Sequence, residues 1–191
     1  MSLIPAIILP IITIFVTWYV PRKIMVEQQF MSLTEQYRSP EMGFAVHCIF
    51  DFYENDCLHD SCKIKAAYKK RFDDEIGDCM KNEWRCRVEP SRTLHFQRRM
   101  VAYFFWDLAR LCFEQKTYPY SHLGNKKIEQ MVGENEIRLI GVILDMNEAS
   151  KERFVMKSLD EEEAMNEELK SLCEKAKGLL EQRKRTKNTG T

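Results

Sequence analysis

Glycine is scarce in this chain, at 7 of 191 residues. A phosphate-cradling loop needs clustered glycines so that backbone N–H groups can approach the ligand, and no such cluster is present. Net charge is lacking as well: 29 Lys and Arg balance 29 Asp and Glu. Nucleic-acid binders carry a basic excess that neutralises phosphates, so that class is set aside. There is no Walker loop, HExxH helix, GxSxG elbow or EF-hand loop. These absences lower the case for an enzyme without closing it. The last absence is local. Residues 3–20, LIPAIILPIITIFVTWYV, contain no charged side chain.

As a helix, at about 1.5 Å per residue, that run spans roughly 27 Å, close to the hydrocarbon thickness of a bilayer. Leu3, Ile8, Ile12 and Phe15 supply apolar surface, and Trp18 and Tyr19 stand at one end, where amphipathic rings favour the headgroup layer. Pro5 fits a first helical turn, and Pro10 kinks the helix. No Lys or Arg precedes the run, whereas Arg22 and Lys23 come directly after it. The positive-inside rule therefore places the N-terminus outside and the bulk of the chain in the cytoplasm. The expectation is a single-pass anchor over residues 1–23 in a cell inner membrane, with the lipid bilayer as first partner. A cleaved secretory signal competes with it, but the basic n-region and the A-x-A-like site are missing. A buried core helix is the third reading.

The chain beyond the anchor is long enough for one domain with its own core. Seven cysteines, Cys48, Cys57, Cys62, Cys79, Cys86, Cys112 and Cys173, make an odd count in a reducing compartment, and read mostly as free thiols. Apolar residues recur three and four apart through Lys23–Tyr37, Pro40–Tyr53, Cys62–Cys86, Ser91–Gln115, a shorter segment ending near Met131, and Glu134–Asn147. Ser39-Pro40-Glu41 is a helix start: a capping hydroxyl, a proline at the first helical position, and an acid at the positive helix end. The wide stripe of Leu94, Val101, Phe104, Phe105, Leu108 and Leu111 marks a central helix. The run Ile137–Leu144 is the one place a strand can hide; without a partner strand it reads as helix. Past Lys151, Met165, Leu169, Leu172, Ala176 and Leu179 form a short heptad seam, which either docks on the bundle or pairs with a second copy of the chain. The class is all-α: a transmembrane helix, a helical bundle over 24–150, and a long charged C-terminal helix and tail over 151–191.

Few residues point to chemistry. Cys57-x-His59-x-x-Cys62 offers three zinc or iron ligand types from one loop, although the spacing is not the paired C-x-x-C of zinc ribbons. His95 has its nearest downstream carboxylate at Asp107, out of reach along one helix, so it reads as a structural histidine. Of Arg98 and Arg99, one is expected to pair inward and the other to face solvent, where it can meet an acidic ligand or a lipid headgroup. Tyr103, Phe104, Phe105 and Trp106 occupy all sides of a helix, so at least one must be exposed. Tyr103, Phe105, Trp106, Arg98 and Arg99 are the candidate partner-binding residues. The basic run Lys63, Lys65, Lys69, Lys70, Arg71 reads as a solvated face.

Two stretches carry a resemblance. One is Tyr37-Arg38-Ser39-Pro40-Glu41-Met42-Gly43 followed by Phe50-Asp51-Phe52-Tyr53; the other runs from Arg92 to Val101 and on to Tyr103-Phe104. Across residues 25–145 the chain resembles small uncharacterised prokaryotic proteins with an N-terminal membrane helix and a helical domain of unknown function. The resemblance implies the same layout and brings no catalytic residues; the Cys57–Cys62 loop is outside the shared pattern. The functional expectation is a membrane-anchored cytoplasmic interaction or scaffolding module with a protein partner, no catalytic residue and no cofactor. The alternatives are a membrane-tethered metal or thiol enzyme using Cys57, His59 and Cys62, and an accessory subunit of a larger membrane complex.

Overall fold

The computed structural model describes residues 17, 20–81, 92–114, 121–151 and 159–189. Among them are seven α-helices and no strand: α1 Val20–Tyr37, α2 Pro40–Asp51, α3 Ser61–Lys81, α4 Leu94–Glu114, α5 Ser121–Met131, α6 Glu134–Lys151 and α7 Leu159–Thr189. The all-α class is thus correct, and the Ile137–Leu144 run is helical. The anchor residues Leu3, Ile8, Ile12, Phe15, Trp18 and Tyr19 lie outside the described residues, as does the side chain of Arg22. Lys23 is exposed on the first turns of α1. Among the described residues, no helix is long and apolar enough to cross a membrane.

Local chemistry explains where the helices start. Ser39, in extended conformation, accepts from the Met42 N–H at 3.2 Å, with Pro40 and Glu41 in the first turn of α2. Asp60 caps α3 by accepting from the Cys62 N–H at 3.0 Å. The α4 cap is Thr93: its Oγ1 accepts from Phe96 N–H at 3.3 Å, while Glu75 of α3 accepts from Leu94 N–H at 2.8 Å. A carboxylate there also favours the positive end of α4. Gly133 opens α6 in a capping-box arrangement, its N–H donating to Glu136 Oε2 at 2.9 Å.

The apolar periodicity that marks the second helix ends at Tyr53. Instead, α2 continues as one π-helical turn over Phe52–Asp56, closed by Cys57 N–H to Phe52 O at 3.2 Å. Phe52 and Cys57, five residues apart, are both buried. The wider turn lets side chains at that spacing share one face.

Helix α4 packs against all six other helices. Its Val101, Phe104, Phe105 and Leu108 are buried, along with Ile49 of α2, Tyr68 of α3, and Ile140 and Ile143 of α6. The heptad seam of α7 is spent inside the molecule. Met165, Leu169, Leu172 and Ala176 are buried as α7 packs on α6, α4 and α5. The seam therefore docks on the bundle, and a second copy would have to meet other surfaces. One close approach fixes α5 on α4: a Cβ at Gly124 would lie 2.5 Å from the Cys112 carbonyl oxygen. The exposed basic run behaves as a solvated face, with Lys65 paired to Glu148 at 2.9 Å and Arg71 to Glu75 at 2.6 Å.

Candidate functional site

The five candidate partner-binding residues divide between two faces of α4. Arg98 and Phe105 are not on the surface. Phe105 is fully buried, on the same side of the helix as Val101 and Leu108. Arg98, 2% exposed, donates from Nη1 to Asn147 Oδ1 at 2.6 Å and to Ser150 Oγ at 2.9 Å. Its guanidinium also lies 5.6 Å from the ring centre of Tyr68. Both corrections follow from the helical angle: residues 98 and 105 are seven apart and share the inward side of α4.

Arg99, Tyr103 and Trp106 do share a face. Arg99 and Tyr103 are exposed, Trp106 is half-buried, and two residues that the sequence did not single out, Phe96 and Arg110, stand in the same row. The spacing was legible: 96, 99, 103, 106 and 110 step by three and four along one helical edge. The row is a connected stack. Arg99 sits 5.7 Å from the Tyr103 ring, Tyr103 and Trp106 are 5.7 Å apart, and Arg110 lies 5.4 Å from the Trp106 ring. The Trp106 indole N–H is buried and has no hydrogen-bond partner among the described residues. Beside the row's far end, Asp107, Arg110 and Leu111 face Gln29, Ser32 and Leu33 of α1 across a cleft of about 360 Å³. Burial raises the Asp107 carboxyl above its usual range, against the opposing pull of Arg110.

Behind this row lies a buried polar cluster. Asn147, held by Arg98, donates to Asn166 Oδ1 of α7 at 2.6 Å, so a chain of side chains runs from α4 through α6 to α7. Tyr68 Oη lies 3.1 Å from His95 Nδ1, and Phe72 meets the imidazole edge-on at 5.1 Å. Burial first, then the charges of Arg98 and Arg99, lower the His95 pKa to about 3. A histidine so held stays neutral and makes a poor general base near neutral pH. The cluster ties helices together and borders a small void lined by Tyr68, Lys69, Phe72, Ala149 and Ser150. Asn147 had a signal in the sequence: it lies one turn beyond Ile143, on the apolar stripe of α6.

The Cys57–Cys62 loop is compact but does not gather ligands. Cys57 is buried, its thiol pushed up to about 11 by burial and by Asp56 and Asp60, whereas Cys62 is exposed. His59 turns instead to α6, its Nδ1 3.0 Å from Arg138 Nη2, with its ring edge-on to Tyr53 at 5.5 Å. Leu58 and His59 both take positive φ, 53° and 60°, and the Tyr53 hydroxyl holds the turn by donating to His59 O at 2.8 Å. Among the described residues, no group of three or more His, Cys, Asp or Glu side chains can hold a metal ion. The described cysteines, Cys48, Cys57, Cys62, Cys112 and Cys173, are free thiols; Cys86 and the side chain of Cys79 lie outside the described residues.

No family model matches this chain, and neither the curated proteins nor the solved structures searched contain a match. What the site can do must therefore be argued from its own side chains. An exposed arginine–aromatic row can bind. It contains no nucleophile, base and orienting group in mutual reach, which covalent or acid–base chemistry would require.

Proposed function

We propose that the chain is a membrane-anchored helical interaction module. Its uncharged N-terminal run holds it to a cell inner membrane with the bundle on the cytoplasmic side, and α4 presents a docking face to a protein partner. The observation that carries the reading is the outward row Phe96, Arg99, Tyr103, Trp106, Arg110. Tyr, Trp and Arg are the side chains that most often dominate binding energy at protein interfaces. Support for the anchor comes from the uncharged run over 3–20 with Arg22 and Lys23 behind it, and from exposed Val20, Ile24, Met25 and Met31 on the adjoining helix. Tethering has a physical benefit: confinement to a surface raises the effective concentration of a weak binder without adding contacts.

The test has two arms. Membranes containing the intact chain are washed in alkaline carbonate, and sealed cells are treated with external protease. Retention in the pellet and protection of the C-terminal portion are expected. Release by carbonate, or digestion from outside, refutes the anchor or its orientation. Photo-crosslinking from positions 99 and 103 in native membranes, with Phe44 on the exposed side of α2 as a second probe site, tests the module; no protein adduct from any of these sites would refute it.

A further inference from the structure

We infer that the outer side of α1 lies in the inner-leaflet interface, so that the bundle rests on anionic lipid along Val20–Met31. This deepens, and rests on, the anchor reading above. Helix α1 is apolar on two sides. Val26 and Phe30 are buried in the core, with Leu33 and Tyr37 packed against it. On the other side Val20, Ile24 and Met31 are 38%, 51% and 58% exposed. Steps of four and seven put these three on one helical edge. A groove of about 840 Å³ runs along them, and among the described residues α1 alone lines it. Contiguous exposed apolar surface of this kind marks a protein or membrane contact.

Two observations select lipid as the occupant. The strip directly continues the uncharged run over 3–20, so it adjoins the segment read as the anchor. Charge agrees with that continuity. Lys23 is exposed in the same groove and is engaged by no carboxylate among the described residues. Its stem lets the ammonium reach an anionic headgroup while the strip faces the acyl chains. The nearest acid, Glu27, is answered within the molecule by Lys127 of α5, which offsets its charge toward an anionic surface. A second copy fits less well. Copies anchored the same way round pair their α1 helices in parallel, which brings Glu27 against Glu27 in the middle of the strip.

Distance then sets the tilt. Val20 and Met31 are eleven residues apart, about 17 Å along a helix. The headgroup layer on each side of a bilayer is roughly 5–8 Å deep. Standing upright, α1 would carry Met31 past that layer into water. Lying near the membrane plane, it places all three apolar side chains at the headgroup–acyl boundary. Pro21, in the first turn of α1 and without an N–H, is where the chain can turn from spanning to lying. Glu35, exposed at the far end, marks where the strip leaves the lipid.

The test uses the full chain, one copy per nanodisc of phosphatidylcholine with phosphatidylglycerol. An environment-sensitive fluorescent amino acid is placed at position 24, at 31, or at 164, the last an exposed site on α7. All three sites are exposed, so the fold should be retained. Lipids brominated near the headgroup end of the acyl chain are the quencher. Positions 24 and 31 are expected to lose most of their emission and position 164 none. Raising the share of phosphatidylglycerol should deepen the loss at 31, and Lys23→Glu should remove that gain. A benzophenone amino acid at 31 in native membranes should give lipid adducts. Several results overturn the inference: emission at 31 as bright as at 164; loss at 24 alone, the mark of an upright α1; a phosphatidylglycerol effect indifferent to Lys23→Glu; shielding of 31 that needs two copies per disc; or protein in place of lipid adducts from 31. Any of these in a chain that carbonate does not release leaves the anchor standing. Release by carbonate sinks the anchor, and this inference with it.

Discussion

Arg98→Met is the most demanding test of how the bundle is held together. The substitution keeps an unbranched aliphatic stem at a position 2% exposed and deletes the guanidinium that meets Asn147 Oδ1 and Ser150 Oγ. Hydrogen bonds from a charged donor contribute about 1.5–3 kcal/mol each. Both bonds start from one nitrogen, so they do not add fully. Releasing the guanidinium from burial returns part of the loss. Against that, Asn147 and Ser150 remain buried with one partner fewer, and Asn147 is also the link to Asn166 of α7. The balance is a loss of about 3 kcal/mol, which lowers the Tm of a chain this size by about 6–12 °C. The assay is thermal unfolding followed by near-ultraviolet circular dichroism, with Arg99→Met as the control. Arg99 is the neighbouring exposed residue, and its loss should cost within about 0.5 kcal/mol. Arg98→Lys keeps the charge but is shorter and lacks the planar guanidinium that reaches Asn147 and Ser150, and should fall between the two. If Arg98→Met melts within about 2 °C of Arg99→Met, the buried arginine is not a tie between helices and the reasoning fails.

Ser39→Ala removes the acceptor that caps α2 and should cost about 1 kcal/mol, read as a lower denaturant midpoint with an unchanged slope. Gly124→Ala should destabilise by about 1–3 kcal/mol in spite of alanine's better helix propensity, because the added methyl meets the Cys112 backbone; a raised Tm would show that α5 can move away from α4 at little cost. His95 makes stability depend on pH. Its folded pKa is lowered to about 3 while the unfolded chain titrates at the ordinary value of 6.5, so the unfolded state binds the proton first. Stability should therefore decline as pH falls below about 6.5, by at most about 1.4 kcal/mol per unit and by less where water reaches the ring. Equilibrium unfolding at several pH values checks this, and His95→Gln should flatten that part of the profile.

Helix positions were largely legible because a 3.6-residue period is a local signal. Ser39-Pro40-Glu41 states its structure within a few residues of chain, and the Leu94, Val101, Phe104, Phe105, Leu108, Leu111 stripe within one helix. The π turn at Phe52–Asp56 was not legible, since it arises from the demand that Phe52 and Cys57 reach one core. The capping of α4 by Thr93 together with Glu75 was hidden for the same reason: the second partner comes from another helix. The Cys57–Cys62 loop misled in the opposite direction. Residue types suggested ligands although the spacing did not match a zinc ribbon, but burial drew Cys57 inward and Arg138, far along the chain, engaged His59.

Composition and periodicity by themselves determined that this chain is helical, that α4 lies at the centre, and that an uncharged run precedes the bundle. Those properties depend only on which residues recur along one chain, and water sorts apolar from polar surface wherever the helix goes. Which side of α4 faces outward was decided only when the other helices packed around it. Arg98 and Arg99 are adjacent in sequence and about 100° apart on the helix. Packing made the first a buried tie and left the second in the exposed row, because burial is a property of the assembled neighbours and not of the residue.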